Sequence, residues 1–204
     1  VVFDGTSVQN CTWDVDVALG GWSQTAGYTG TVTVMTVYSP SGFDTLHVTG
    51  DMVVNGGALR HADNSTAQTY RLCVKVGGNL TVGAGASISA DSLGFDPGYG
   101  KGSGGWYDGL RGAAYGGSGR QPSSKTYGSA VAPVDLGSGA YDGPHAPGRC
   151  GGGAILLVVG GALTVNGTIS ASGGGVWNGG GGGSGGSIFV TAGSISGTTP
   201  QILA

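Results

Sequence analysis

From Val159 to Ser172 the chain reads VGGALTVNGTISAS, and the same pattern occurs at Val76–Asp91 as VGGNLTVGAGASISAD and at Val48–Asp63 as VTGDMVVNGGALRHAD. Each copy has a strand ending in Val, a Gly turn, a short strand of the LTV type, a second Gly or Asn-Gly turn and an SISA-type strand. A degraded fourth copy, SIFVTAGSISG, covers Ser187–Gly197. In Ala162-Leu163-Thr164-Val165 and Thr168-Ile169-Ser170-Ala171 the large apolar residues fall at every second place. A half-buried strand requires that spacing, because successive side chains point to opposite faces. The equivalent valines Val48 and Val76 are 28 residues apart, and Val159 is matched with Val190, 31 residues on. A period near 30 built from several short strands suits one coil of a parallel β-solenoid, in which each strand pairs with its counterpart in the next coil. The competing arrangement is a sandwich of hairpins, with Asn55-Gly56 and Asn166-Gly167 as type I′ turns.

Composition points the same way. Of 204 residues 47 are glycine, all 11 acids are Asp, and only 3 residues are Lys. Glycine costs about 1 kcal/mol per helical position relative to Ala, so a chain without Glu and with so much Gly is expected to be all-β without helices. The glycines follow no three-residue period, which excludes collagen. A hydrophobic content of 39% with a net charge of −3 excludes a disordered chain, in which low hydrophobicity accompanies high charge. Eight Lys and Arg offer no basic footprint for nucleic acid, and no apolar run approaches the roughly 18 residues of a membrane span. The start VVFDGTSV lacks a basic region followed by an apolar stretch, the reading expected of a mature secreted form or an excised domain.

Roughly fifty extra residues separate the second and third copies. The chain is therefore expected to divide into an N-terminal β cap or first coil at 1–46 and solenoid repeats at 47–204, with a Gly-rich insertion at about 92–153. The excursions leave from one corner, after the SISA-type strand. They carry Phe95, Tyr99, Trp106, Tyr107, Tyr115, Tyr127, Tyr141 and Trp177. Such stretches are expected to pack as a side layer of polyproline-II-like segments joined laterally through backbone groups. Tyr99, Trp106, Tyr107, Tyr115 and Trp177 are candidate aromatics for stacking on sugar rings or burying against a neighbour. At the other end of the chain, Val1, Val2 and Phe3 are apolar and β-prone, and are expected to add as a strand to a second copy.

YGSAVAPVDLGSGAYDG (127–143), GGGAILLVVGGALTVNGTISASGGG (151–175) and GGGGSGGSIFVTAGSISG (180–197) resemble a Gly-rich β-repeat of large secreted and surface proteins of bacteria. There, blocks of these three types recur in this order. The likeness covers roughly Tyr70 to Gly197 and leaves residues 1–46 aside. It implies a cell-surface, adhesive or matrix role rather than an activity. More loosely, the pattern is similar to Gly-rich domains of some animal receptor ectodomains.

Little in the sequence points to catalysis. The Asp residues are scattered beside Gly or Pro, as in Asp96-Pro97-Gly98 and Asp142-Gly143-Pro144, where Asp is a turn residue. A glycosidase needs a facing carboxylate pair. Asp14 and Asp16 share a strand face but fall short of the ligands of Ca²⁺, and His47, His61 and His145 show no metal spacing. No cofactor is expected. Cys73 aligns with Leu156 and is expected to be a core thiol, leaving Cys11 and Cys150 as disulfide partners, with Cys11–Cys73 the alternative pairing. Four of six asparagines, Asn10, Asn64, Asn79 and Asn166, head N-x-[ST] triplets and are candidate glycosylation sites, although Asn79 and Asn166 belong to the repeat and would serve equally as turn residues. The sequence is thus expected to be a secreted, non-enzymatic structural subunit whose partner is itself. A carbohydrate-binding or adhesive module of a larger surface protein is the alternative. A polysaccharide-degrading enzyme is the third reading.

Overall fold

A computed structural model describes residues 1–103, 112–119, 125–141, 149–175, 180–198 and 200–204. Those residues contain no helix, and the chain is all-β with parallel sheets. It visits two sheets in the same order six times. The first visits are β1 (Val2–Phe3) then β2 (Cys11–Trp13), and β3 (Trp22–Gln24) then β4 (Thr31–Val34). The repeats then give β5 (Leu46–Val48), β6 (Met52–Val54) and β7 (Ala58–His61), followed by β8 (Leu72–Val76), β9 (Leu80–Val82) and β10 (Ser87–Ser89). The last two visits are β11 (Ala154–Val165) with β12 (Thr168–Ser170), and β13 (Ser187–Ser196) with β14 (Gln201–Leu203).

The six-stranded sheet runs β14-β12-β10-β7-β4-β2, and the eight-stranded sheet runs β1-β3-β6-β9-β11-β8-β5, with β13 also on β11. Because β11 pairs with β8 through Ile155–Val159 and with β9 through Leu163–Val165, the larger sheet is strongly curled into two ladders, the first through β5, β8 and β11 and the second through β1, β3, β6, β9 and β11, and the six-stranded sheet is the third. Every pairing between named strands is parallel; the antiparallel contact is an isolated bridge, Val37↔Tyr70. The hairpin arrangement is thereby corrected. Asn55-Gly56 and Asn166-Gly167 are corners leading from one sheet to the other, and Asn55 N–H donates to the Gln24 carbonyl one visit earlier at 2.8 Å.

Repeat positions become neighbours. Val48, Val76 and Val159 pair in register, as do Met52, Leu80 and Leu163, and Leu59, Ile88 and Ile169. All nine are buried and belong to one core. The fourth copy sits two residues from its expected alignment, since Val159 pairs with Ala192 and Val190 pairs with Leu157. Matching valine to valine missed this, because Val190 and Ala192 lie on the same face of the strand. Residues 1–34 supply strands to both sheets in the same parallel sense. Their aromatics cluster at that end, with Phe3 5.0 Å from Trp22, Trp13 edge-on to Trp22 at 5.3 Å, and Tyr28 buried beneath Phe3.

Beyond the ladders, glycine-rich segments form a layer held by lateral backbone bonds. Gly94 N–H donates to Gly151 O at 2.8 Å, Gly137 N–H to Gly152 O at 2.8 Å, Gly152 N–H to Ser184 O at 2.9 Å and Gly183 N–H to Gly174 O at 2.9 Å. None of these residues is in a strand. The segments approach closely: a Cβ at Gly152 would overlap the Ala171 carbonyl, and one at Gly186 the Gly153 carbonyl. Overpacking of this kind costs about 1–3 kcal/mol. Gly152→Ala is expected to lower the unfolding free energy by at least that much in urea titration, whereas Gly117→Ala, with open space around it, should leave it unchanged.

His61 joins this layer to the core. Its ring is fully buried, Nδ1–H donates to the Ala62 carbonyl at 2.6 Å, and Nε2 accepts the Ala154 N–H at 3.3 Å. Burial, reinforced by the nearby Arg60 charge, pushes its pKa down to about 4 against the opposing Ala62 bond. The unfolded imidazole takes a proton below about pH 6.5, but the folded one does not until about 4. The His61 contribution to stability should therefore fall as pH drops through this window, by roughly 3 kcal/mol in all. Denaturation of His61→Gln across the same range should show a distinctly shallower slope.

Candidate functional site

Two features carry functional potential: the ends of the ladders and the aromatic-bearing layer. At the N-terminal end, β1 lies on β3 with Val2↔Ser23 and Phe3↔Gln24, and among the described residues its other edge carries no strand. Phe3 is half-buried in its own chain, while Val1 and Val2 are 43% and 66% exposed. At the opposite end, β13 and β14 are outermost. Among the described residues no strand covers their side chains at core positions: Ile195, paired with buried Leu163, is 57% exposed, and Ile202, paired with buried Ile169, is 44% exposed. Open strand edges are pairing templates, and proteins ordinarily blunt them. Sequence reasoning singled out Val1, Val2 and Phe3 but missed Ile195 and Ile202, which read as ordinary core positions of a repeat.

The layer is fixed by tyrosines. Tyr38 donates to Val134 O at 2.6 Å, and Tyr127 to Leu136 O at 2.5 Å with Ser138 Oγ at 2.8 Å. Tyr115 pairs with Ser187 Oγ at 2.5 Å, which in turn donates to Asp135 O at 2.6 Å. Burial pushes the Tyr127 phenol up to about 12, overriding the Ser138 bond, and raises Tyr38 and Tyr115. Of the candidate ligand aromatics, Tyr99 is exposed, whereas Tyr115 is half-buried edge-on to Tyr127 at 4.8 Å and serves the layer. It borders an open hollow of about 470 Å³ with Thr126, Tyr127 and Pro133. Trp106, Tyr107 and Trp177 lie outside the described residues.

The disulfide is corrected. Cys11, Cys73 and Cys150 are all free. Cys11 is in the outermost strand β2, whereas the Cys150 carbonyl accepts the Gly174 N–H at 2.9 Å just beyond β12, four inter-strand steps away. At roughly 4.8 Å per step this exceeds the span a disulfide bridges. Cys150 lies with its Sγ 3.7 Å from Asp96 Oδ1, and burial, then the Asp96 and Asp63 charges, raise its pKa. Cys73 is buried and pairs with Leu156 as expected, but it sits outside the core under the 36–45 segment, against Thr45 Oγ1 at 3.3 Å. Asp63 and Asp96, 33 residues apart in sequence, do come near each other; burial, then Asp96, raises the Asp63 pKa. Among the described residues no group of three or more His, Cys or Asp could hold a metal, and no helix is long and apolar enough to cross a membrane.

The asparagines of the four triplets do structural work. Asn10 Oδ1 accepts the Thr31 N–H, Asn79 Oδ1 the Ala162 N–H and Asn166 Oδ1 the Thr198 N–H, each at 2.9 Å and each one visit further along. Asn64 is buried and makes four bonds, to Thr69 N, Tyr70 N, Tyr70 O and Leu93 O. Its carboxamide nitrogen is therefore occupied and enclosed.

No family model, curated protein or solved structure matches this chain. The site is accordingly read from its geometry. Two measurements test that geometry. Thiol titration of the unfolded chain without reductant should return three thiols, not one. Asn64→Ala should cost about 2 kcal/mol, since two part-buried N–H groups and two carbonyls, that of Leu93 buried, lose their partner.

Proposed function

We propose that this chain is an extracellular structural protein, a parallel β-solenoid with a polyproline-II-like side layer, whose copies stack end to end into a filament or surface layer. The observation that carries this reading is the exposure of Ile195 and Ile202 at core positions of the last visit, on sheets whose opposite edge, β1 and β2, is also unpaired among the described residues. A contact between two different ends of one molecule does not close on itself and so propagates a fibre. The sparse charge supports it, because few side chains would have to be desolvated or would repel across such a joint. The layer's lateral backbone bonds support the solenoid with a side layer, and the wording of 127–197, similar to Gly-rich repeats of bacterial secreted and surface proteins, supports the location. No cofactor is involved, and the chief partner is the chain itself.

Negative-stain electron microscopy with sedimentation velocity tests the reading. The purified chain should form fibres of uniform width, with mass rising with concentration. The double variant Ile195→Lys/Ile202→Lys should remain monomeric, because two unpaired ammonium groups would have to be buried in the joint. A wild-type chain that stays monomeric at every accessible concentration overturns the proposal.

A further inference from the structure

The pairing registers extend beyond the molecule. In the third ladder the inward column runs Cys11, Val32, Leu59, Ile88, Ile169, Ile202. In the second ladder it runs Trp22, Met52, Leu80, Leu163, Ile195, and Val1 precedes Val2, the partner of Ser23, so Val1 stands at the Trp22 position. In the first it runs Leu19, Val48, Val76, Val159, Ala192. Each of these three columns thus begins and ends on an apolar residue whose outer side meets no strand among the described residues.

The surface is apolar chiefly where these columns stop. Of eleven exposed large hydrophobic side chains among the described residues, five (Val1, Val2, Val8, Val15 and Val17) belong to the first visit and three (Ile195, Ile202 and Leu203) to the last. Charge selects the polarity of a joint between them. Asp14 and Asp16 are exposed at the first visit, whereas residues 180–204 contain no charged side chain. Two N-terminal ends would set like carboxylates against each other, and pairing like ends would also break the parallel sense common to all named strands. An N-terminal end on a C-terminal end avoids both.

Resting on the end-to-end reading above, we propose that copies join head to tail in register: Ile202 of one copy meets Cys11 of the next and Ile195 meets Val1, while the first column, with five members against six in the other two, resumes at Leu19 one strand step further on. The occupant of the open core is a second copy of this chain. Its aromatic-backed first visit, with Phe3 and Trp13 over Trp22, supplies the cover that the last visit lacks.

The test is covalent capture. Adjacent strands lie about 4.8 Å apart, within the Cα separation a disulfide spans. Within one molecule positions 11 and 202 are at opposite edges of the six-stranded sheet, so any bond between them is intermolecular. Ile202→Cys, assembled and then oxidised with copper phenanthroline, should run as a ladder of multimers on a non-reducing gel. Mass spectrometry should find Cys11 joined to the introduced thiol, and Cys11→Ser should abolish the ladder. A second pair, Val2→Cys with Ser196→Cys, both exposed positions, should cross-link in the same way if the first variant assembles poorly. Fibres without these links, or links solely between two copies of position 202, overturn the register while leaving end-to-end stacking intact. Absence of fibres and of links at any concentration overturns both.

Discussion

The structure depends on one constraint, the in-register parallel pairing of equivalent residues from successive visits. Parallel backbone bonds place each inward side chain about 4.8 Å from the same position one visit earlier and one visit later. Most members of a column are therefore apolar, as in Leu59, Ile88 and Ile169 or Met52, Leu80 and Leu163, and the buried polar members Gln24 and His61 are hydrogen-bonded. Corners obey the same rule. Asn10, Asn79 and Asn166 each place a side-chain oxygen on a backbone N–H of the following visit, satisfying a donor that the turn would leave orphaned.

That constraint also determines where the chain can depart from its repeat. The long excursions leave after the third ladder, and there lateral backbone bonds between glycine-rich segments replace the pairing of strands. Gly152 and Gly186 serve by lacking a side chain where another backbone passes at van der Waals distance, not by adopting an unusual conformation. A layer built from backbone alone has few side chains to anchor it. Tyr38, Tyr115 and Tyr127 supply the anchors through hydroxyls bonded to Val134, Ser187 and Leu136, and a small second core of Phe95, Leu136 and Ala154 fills the space beneath.

A stack of visits has two ends, and in this chain they differ. The first visit is backed by Phe3, Trp13, Trp22 and Tyr28, rings large enough to bury one another. The last leaves aliphatic side chains at core positions in the open. The difference gives the succession of visits a direction, on which the proposed head-to-tail joint rests.

The sequence alone determined the all-β character, the repeat and most of the core, because alternation at Leu163, Val165, Ile169 and Ala171 is a local property that burial then respects. It also located the excursions, since they interrupt a periodic text. What it could not determine were relations between residues far apart in the chain. The two-residue offset of the fourth copy, the three free thiols, the enclosure of Asn64, the meeting of Asp63 with Asp96 and the burial of His61 against Ala154 all depend on which visit lies beside which. Tyr115 illustrates the limit: composition marked it as an aromatic in a glycine tract, and tertiary structure alone decided that its hydroxyl faces Ser187. Exposure of Ile195 and Ile202 is decided in the same way, because an inward-facing residue is covered only when another strand follows it.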